Sequence, residues 1–386
     1  MLALRLARGA HPLVLLRRLL VAAASAGTGF LFLCALGYAL GHPASTGAAV
    51  RLAWCALPLA ATVYFAVAVA RTDPGTRPRP GLAAIGLGPG RLMAVSATTT
   101  AVACTLGSMV ALLFFLHLRG DLTGLPFDGA AAELLAADRP LPLAAALTLL
   151  ALVPLVASVA TALALRPRPA RPGRAHDDEA PAPSPAPGGL PWGIALLAAG
   201  LAVEMYAGRA DAASGPRMPG GVAGGPGGVL VGWALTAVGL AVTGPGLTYV
   251  CGRVLQAVRP GAMRLLAGRV LMQEARRIGQ PLGVVCAVAS GAYAASTLYA
   301  TDTGAHVGPL TTLGALVVAG CAVLTLATAT AEAHRTRTTT AAALRRLGAP
   351  LTLLRGAATL RAAALLALFT PLTWTVAHLA ATPLAT

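Results

Sequence analysis

Long apolar runs alternate along the chain with short polar or basic segments. A helix needs ~20 mostly apolar residues to cross ~30 Å of hydrocarbon. Nine runs qualify, at residues 19–40, 52–70, 92–116, 142–165, 191–207, 227–250, 281–299, 308–331 and 358–380. The run at 191–207 is short and carries Glu204. The first run is too long for a signal-peptide core and lacks an obvious cleavage site, so it is expected to stay in the protein. The pattern predicts an all-α, polytopic integral membrane protein with about nine transmembrane helices, within a range of eight to ten.

The segments between the runs differ in kind. Residues 117–141 form the longest predicted external loop, with Asp121, Asp128, Glu133 and Asp138 and no room for a folded domain. Residues 166–190 are rich in Pro, Ala and charge, and read as a disordered linker between two halves. Residues 251–280 and 332–357 are basic and helix-compatible. Within 263–278, Met263, Leu266, Ala267, Val270, Leu271 and Ile278 share one face while Arg269 and Arg276 lie on another, which predicts a helix on the membrane surface. The glycine-rich run at 220–228 has no following Lys and reads as a flexible connection, not a phosphate loop.

Composition sharpens the class. Of 386 residues, 56% are hydrophobic and only 11% charged. A soluble domain carries about a quarter charged residues, so a cytosolic enzyme or a disordered chain is excluded. The formal net charge is +16 and every basic residue is Arg. With the N-terminus inside, 24 of the 29 Arg fall in cytoplasmic segments, and only Arg51, Arg119, Arg139, Arg209 and Arg217 fall outside. Cytoplasmic loops of membrane proteins concentrate basic residues. The charge therefore predicts a multi-pass protein of the cell (cytoplasmic) membrane with a cytoplasmic N-terminus and, after nine spans, an external C-terminus. It is not a nucleic-acid footprint. The six cysteines lie in or beside apolar runs with no ligand-like spacing, and read as small buried hydrophobes.

An internal repeat emerges at the inner ends of the spans. Two spans follow the basic approach Arg17-Arg18, and two follow Arg276-Arg277. The first pair leads to Leu82-Ala83-Ala84-Ile85-Gly86, the second to Leu344-Arg345-Arg346-Leu347-Gly348. Leu20 to Leu82 and Leu282 to Leu344 are both 62 residues apart. Each copy is followed by a proline (Pro89, Pro350), an arginine (Arg91, Arg355) and another span. The seventh span is offset from the first by six, so the two repeats point the same way across the membrane, unlike an inverted duplication.

At these residues the chain resembles the FtsX-like (MacB-type) permease family of ABC transporters. AAALRRLGAPLTLLR at 341–355 matches the cytoplasmic stretch those permeases carry between their second and third core spans, and GLAAIGLGPGRL at 81–92 is a degenerate copy without the basic pair. The resemblance implies a first repeat over residues 1–165 with four spans, an extra pair of spans over 191–250, and a second repeat over 251–386 with three. It departs from the family where the second unit lacks a fourth span and where residues 300–307 replace a large external domain.

No nucleotide loop, zinc-protease motif, nucleophile elbow or paired carboxylate occurs, so no enzyme activity, cofactor or metal is expected. The resemblance implies an energy source in a separate ATPase subunit, with Leu344, Arg345, Arg346, Leu347, Gly348 and Arg355, and in the first copy Leu82, Ile85, Gly86 and Arg91, as its coupling contacts. An amphipathic helix with apolar Leu344 and Leu347 and basic Arg345 and Arg346 suits a groove on a soluble partner, and Gly348 is placed to end it as a left-handed cap. Expected partners are that ATPase, membrane lipids and a second permease, as homodimer or heterodimer, and no nucleic acid. The function expected is export or membrane extraction of a hydrophobic or amphipathic substrate such as a lipid, peptide or drug. Two alternatives are an ATP-independent secondary transporter and a non-transporting regulator that relays ATPase state. Glu204, near the outer end of the fifth span, is expected to reach water. Glu332 and Asp302 are expected at the interfaces, and Pro58, Pro154 and Pro371 as tolerated bends. Sparse intramembrane charge argues against ion-coupled transport.

Overall fold

The computed structural model describes residues 12–42, 47–73, 88–122, 129–132, 135, 137–166, 187–207, 227–257, 261–301, 308–346, 348 and 350–385. Every regular element among them is an α-helix. In chain order these are α1 (Pro12–Gly41), α2 (Gly47–Trp54), α3 (Ala56–Thr72), α4 (Pro89–Arg119), α5 (Leu143–Ala164), α6 (Leu190–Ala207), α7 (Gly227–Gln256), α8 (Ala262–Thr301), α9 (Pro309–Arg346) and α10 (Leu351–Ala385). Taking α2 and α3 as one span, nine described segments are long and apolar enough to cross a membrane. Their flanks suit lipid. Along α5, for example, Leu143, Leu147, Leu155, Val159 and Leu163 are all exposed, a surface that water would not tolerate in so continuous a form. The linker core 167–186 and the glycine-rich residues 220–226 lie outside the described residues.

Only one of the three singled-out prolines coincides with a helix break. Pro58 has no N–H, and its ring crowds the carbonyl four residues back, at Trp54. The helix is interrupted one residue later, at Cys55, between α2 and α3. The Pro58 carbonyl accepts a hydrogen bond from Thr28 Oγ1 at 3.5 Å. Pro154 and Pro371 sit within helices that continue through them.

The chain divides into two compact units. The first holds residues 1–170 with 308–321, and the second holds 171–307 with 322–386. In the first, α1 is central and packs against α2, α3, α4 and α5. Phe115, Leu33, Leu150 and Ala146 are fully enclosed there, and Val153 joins Phe32 and Cys55 in an adjoining cluster. Hydroxyls bind the helices to one another. Ser25 donates to the Cys104 carbonyl at 2.8 Å, Ser108 to the Leu150 carbonyl at 3.2 Å, and Thr28 and Thr62 share a hydrogen bond at 2.9 Å.

In the second unit α7 is central, between α6 and α8. Both seams are built from glycine, as the glycine-rich spans predict. Gly232, Thr236, Gly239 and Thr243 face α6, while Leu240, Gly244, Thr248 and Gly252 face α8. A methyl group at Gly279 of α8 would lie 2.6 Å from the Gly244 carbonyl oxygen. One at Gly193 of α6 would lie 2.7 Å from the Thr243 nitrogen. Backbones therefore touch without side chains between them, and α6 and α8 each run antiparallel to α7. Next to this pair, α10 lies alongside α8 in the same direction, with Met263 against Gly356 at one end and Ser290 donating to the Thr373 carbonyl at 3.3 Å further on.

Two helices of this unit, α8 and α10, far exceed a membrane's thickness. At 1.5 Å per residue, the 40 residues of α8 reach about 60 Å. Residues 263–278 are thus no separate surface helix. They continue the seventh span without a break, and their apolar face, with Ala267, Leu271 and Ile278 buried, packs on protein. Gly268 meets Gly252 of α7, and Gln256 of α7 reaches the Met272 sulfur at 3.3 Å. The face whose pattern suits lipid headgroups is covered by a neighbouring helix.

Candidate functional site

The second motif copy forms an elbow. α9 runs on past the apolar residues of its span to Arg346, with Leu344 in its last turn. Gly348 then takes φ +89°, the left-handed conformation a residue with a Cβ resists. Its N–H donates to the Arg345 carbonyl at 3.0 Å, as the sequence led one to expect of a helix cap. The Pro350 carbonyl accepts from Leu353 N–H at 3.2 Å and opens α10 at Leu351. Arg345, Arg346, Gly348 and Arg355 are exposed around this one turn, and Leu351 is exposed beside them. The side chain of Leu344 and all of Leu347 lie outside the described residues.

Of the first copy only Arg91 is described. It is exposed in the first turn of α4, which Gly88 precedes as an extended cap. Leu82, Ile85 and Gly86 lie outside the described residues. The structure thus brings five of the ten predicted positions together at the elbow, Leu344 by its backbone alone, and places a sixth, Arg91, at a helix start in the other unit.

Behind the elbow is a charge cluster that sequence reading passed over. Glu274 of α8 and Arg337 of α9 form a two-pronged ion pair, in which the Arg337 Nε and Nη2 donate to the two carboxylate oxygens. Arg361 of α10 is half-buried, and its Nε is enclosed without a hydrogen-bond partner. The signal was available: Glu274 is the only acid in the basic stretch 251–280. The first unit has a related contact. Arg18 of α1 pairs with Asp73, the residue after α3, at 2.7 Å, and Arg17 donates to Thr72 Oγ1 at 3.3 Å. A crevice beside it is lined by Ser96, Thr99 and Thr100 of α4.

Glu204 departs from expectation. It was expected to reach water, yet it is fully enclosed between α6 and α7. Thr236 Oγ1 donates to its Oε1 at 2.9 Å. Glu332, expected at the interface, is buried as well. Among the described residues no group of three or more His, Cys, Asp or Glu is placed to hold a metal ion.

No protein-family model, no curated protein and no solved structure matches the chain.

Proposed function

We propose that the chain is the membrane permease subunit of an ABC transporter of the FtsX-like kind. In this reading the Arg-rich helix ends face the cytoplasm, and the elbow at 344–355 docks on a separate ATPase. ATP-driven closure of that partner is passed through the long helices α8, α9 and α10 to the spans. The cargo is a hydrophobic or amphipathic molecule taken from the bilayer and exported, and a second permease copy completes the assembly.

The observation that carries the reading is the elbow itself. A long helix ends on a left-handed glycine, restarts after Pro350, and presents Arg345, Arg346 and Arg355 to solvent. The Glu274–Arg337 pair joins α8 to α9, and in this reading it passes a push on the turn from one helix to the other. The recurrence of the motif at the same 62-residue spacing supports the duplication.

The test is co-purification from native membranes. Wild-type protein is expected to bring down an ABC ATPase, and a triple substitution of Leu344, Leu347 and Gly348 is expected to lose it while the permease still inserts. Unchanged association in the triple variant would sink the coupling assignment. Transport that survives without any ATPase would favour a secondary transporter, and ATPase binding without substrate flux would favour a regulator. A reporter fused to the C-terminus is expected to lie outside the cell; a cytoplasmic reporter would overturn the nine-span topology.

A further inference from the structure

Glu204 is a carboxyl of the second unit that coupling to an ATPase does not use. It sits about one helical turn before the end of α6 at Ala207. Its side chain has no exposed surface. Oε1 accepts the Thr236 hydroxyl, while Oε2 is enclosed with no hydrogen-bond partner. The opposing backbone leaves no slack, since a methyl group at Gly232 of α7 would lie 2.5 Å from the Glu204 Cγ.

Among the described residues of α6, α7 and α10, no counter-charge lies near the carboxyl. Among the described residues of α6 Glu204 is the one charged side chain, and on α7 it is Arg253. Arg253 lies 17 positions from Thr236, about 25 Å along the helix. Tyr249 and Cys251, the other titratable groups of α7, lie toward that same far end. α10 also touches α6, where Thr382 reaches the Met205 sulfur at 3.5 Å. The titratable group at that end of α10 is His378, which is exposed and sits edge-on to Trp374. Arg355 and Arg361 lie toward the opposite end of α10. An ionised carboxylate enclosed in this way is far costlier than the neutral acid.

We propose that Glu204 is a proton-binding site, held as the neutral carboxylic acid in the α6–α7 seam, whose deprotonation opens that seam at its Glu204 end. The ligand is the proton itself. The glycine packing gives the site its sharpness, because a seam with backbones in contact has no room to hydrate an anion. The position one turn from the end of α6 leaves a short route for exchange with water. The inference does not depend on the permease assignment.

The test uses the full-length protein in liposomes and an apolar carbodiimide. Such a reagent takes the acid proton onto nitrogen while the carboxylate oxygen adds to its central carbon, giving an O-acylisourea with nothing lost. Mass spectrometry is expected to find the adduct on Glu204 in acid, and each unit of pH above the midpoint is expected to cut the yield about tenfold. Glu204→Gln is expected to lose that adduct, and Thr236→Val to keep it. A polar carbodiimide is expected to spare Glu204 while modifying exposed Asp138. Once the intrinsic base-catalysed rate is divided out, protection of residues 190–207 against hydrogen exchange is expected to fall with pH in wild type and to stay constant in Glu204→Gln. The proton site is overturned if no adduct forms at any pH, if the yield ignores pH, or if the polar reagent modifies Glu204 as readily. Protection that falls equally in both proteins overturns the opening of the seam.

Discussion

The two units solve one problem in different ways. Within a bilayer, lipid tails are as apolar as leucine, so helices gain little from hiding apolar surface from the solvent. Association then depends on close contact and on polar links. The first unit relies mostly on interlocked large side chains, Phe115, Leu33, Leu150 and Val153, and on Ser and Thr hydroxyls, with one close glycine contact, Gly107 against the Ala22 carbonyl. The second brings backbones together through Gly193, Gly200, Gly232, Gly239, Gly244, Gly252, Gly268 and Gly279. The first method tolerates small displacements, because side chains can repack. The second does not, since nothing in the seam can move aside. The unit with glycine seams also carries the elbow.

The comparison breaks most visibly if large side chains are not what holds the first unit. Phe115→Ala is expected to cost about 3–5 kcal/mol, the usual penalty for truncating an enclosed aromatic. Thermal unfolding in detergent reads it, and a loss under about 1 kcal/mol would mean that the site collapses freely. The matching variant in the second unit adds atoms. Gly279→Val is expected to cost about 3 kcal/mol, the upper part of the overpacking range, because it drives a branched side chain into the Gly244 carbonyl. Gly291 lies on the same helix, and a methyl group there would meet nothing within 4 Å. Gly291→Val is expected to stay within about 0.5 kcal/mol of wild type. Equal effects at the two glycines would remove the distinction between the units.

Much of this contrast was legible in the residues and some was not. The number of helices and their approximate limits follow from apolar length, since a span has little choice in lipid. The cap at Gly348 was legible because only a residue without a Cβ takes that φ at little cost. The fate of 263–278 was not. An amphipathic face predicts something apolar opposite it, but the pattern does not say whether that is lipid or another helix, and here it is α7. Glu204 was misread for a similar reason. Its place near a span end predicts a route to water, whereas the glycines on α7 that close over it are 28 or more positions away in sequence. The Glu274–Arg337 pair spans 63 positions, and no local spacing reveals it.

That pair supplies the next test. Each unit links a basic-approach helix to the following one by an ion pair with the charges exchanged, Arg18 with Asp73 and Glu274 with Arg337. The pairs are similarly exposed, with Asp73 at 16% and Glu274 at 13%, and they differ in geometry: Arg18 makes one contact to its acid, whereas Arg337 grips both carboxylate oxygens. Glu274→Ala is expected to cost about 2 kcal/mol, as for a charged hydrogen bond lost from a half-buried site, and it leaves Arg337 without its two-pronged partner. Asp73→Ala is expected to cost less, about 1 kcal/mol, as for a pair held by a single contact. Adding Arg337→Leu to Glu274→Ala is expected to restore part of the loss. Equal costs for the two acids would make the pairs equivalent.

The smallest expected effect concerns the hydroxyls of the first unit. Thr62 is fully buried, and its Oγ1 lies 2.9 Å from Thr28 Oγ1 and 3.5 Å from the Ala24 carbonyl. Thr62→Val keeps the shape and removes the hydroxyl. Interhelical hydrogen bonds in membranes contribute about 0.6 kcal/mol each, and Thr28 keeps a second acceptor in the Ala24 carbonyl at 3.0 Å. Thr62→Val is therefore expected to lower stability by about 0.6 kcal/mol, and Thr28→Val by somewhat more, because that change also removes the link to the Pro58 carbonyl at the break in the second span. If Thr62→Val instead matched Phe115→Ala in cost, the polar links rather than the interlocked side chains would be what fastens α1 to α3, and the first unit would depend on specific contacts as strictly as the second depends on its glycines.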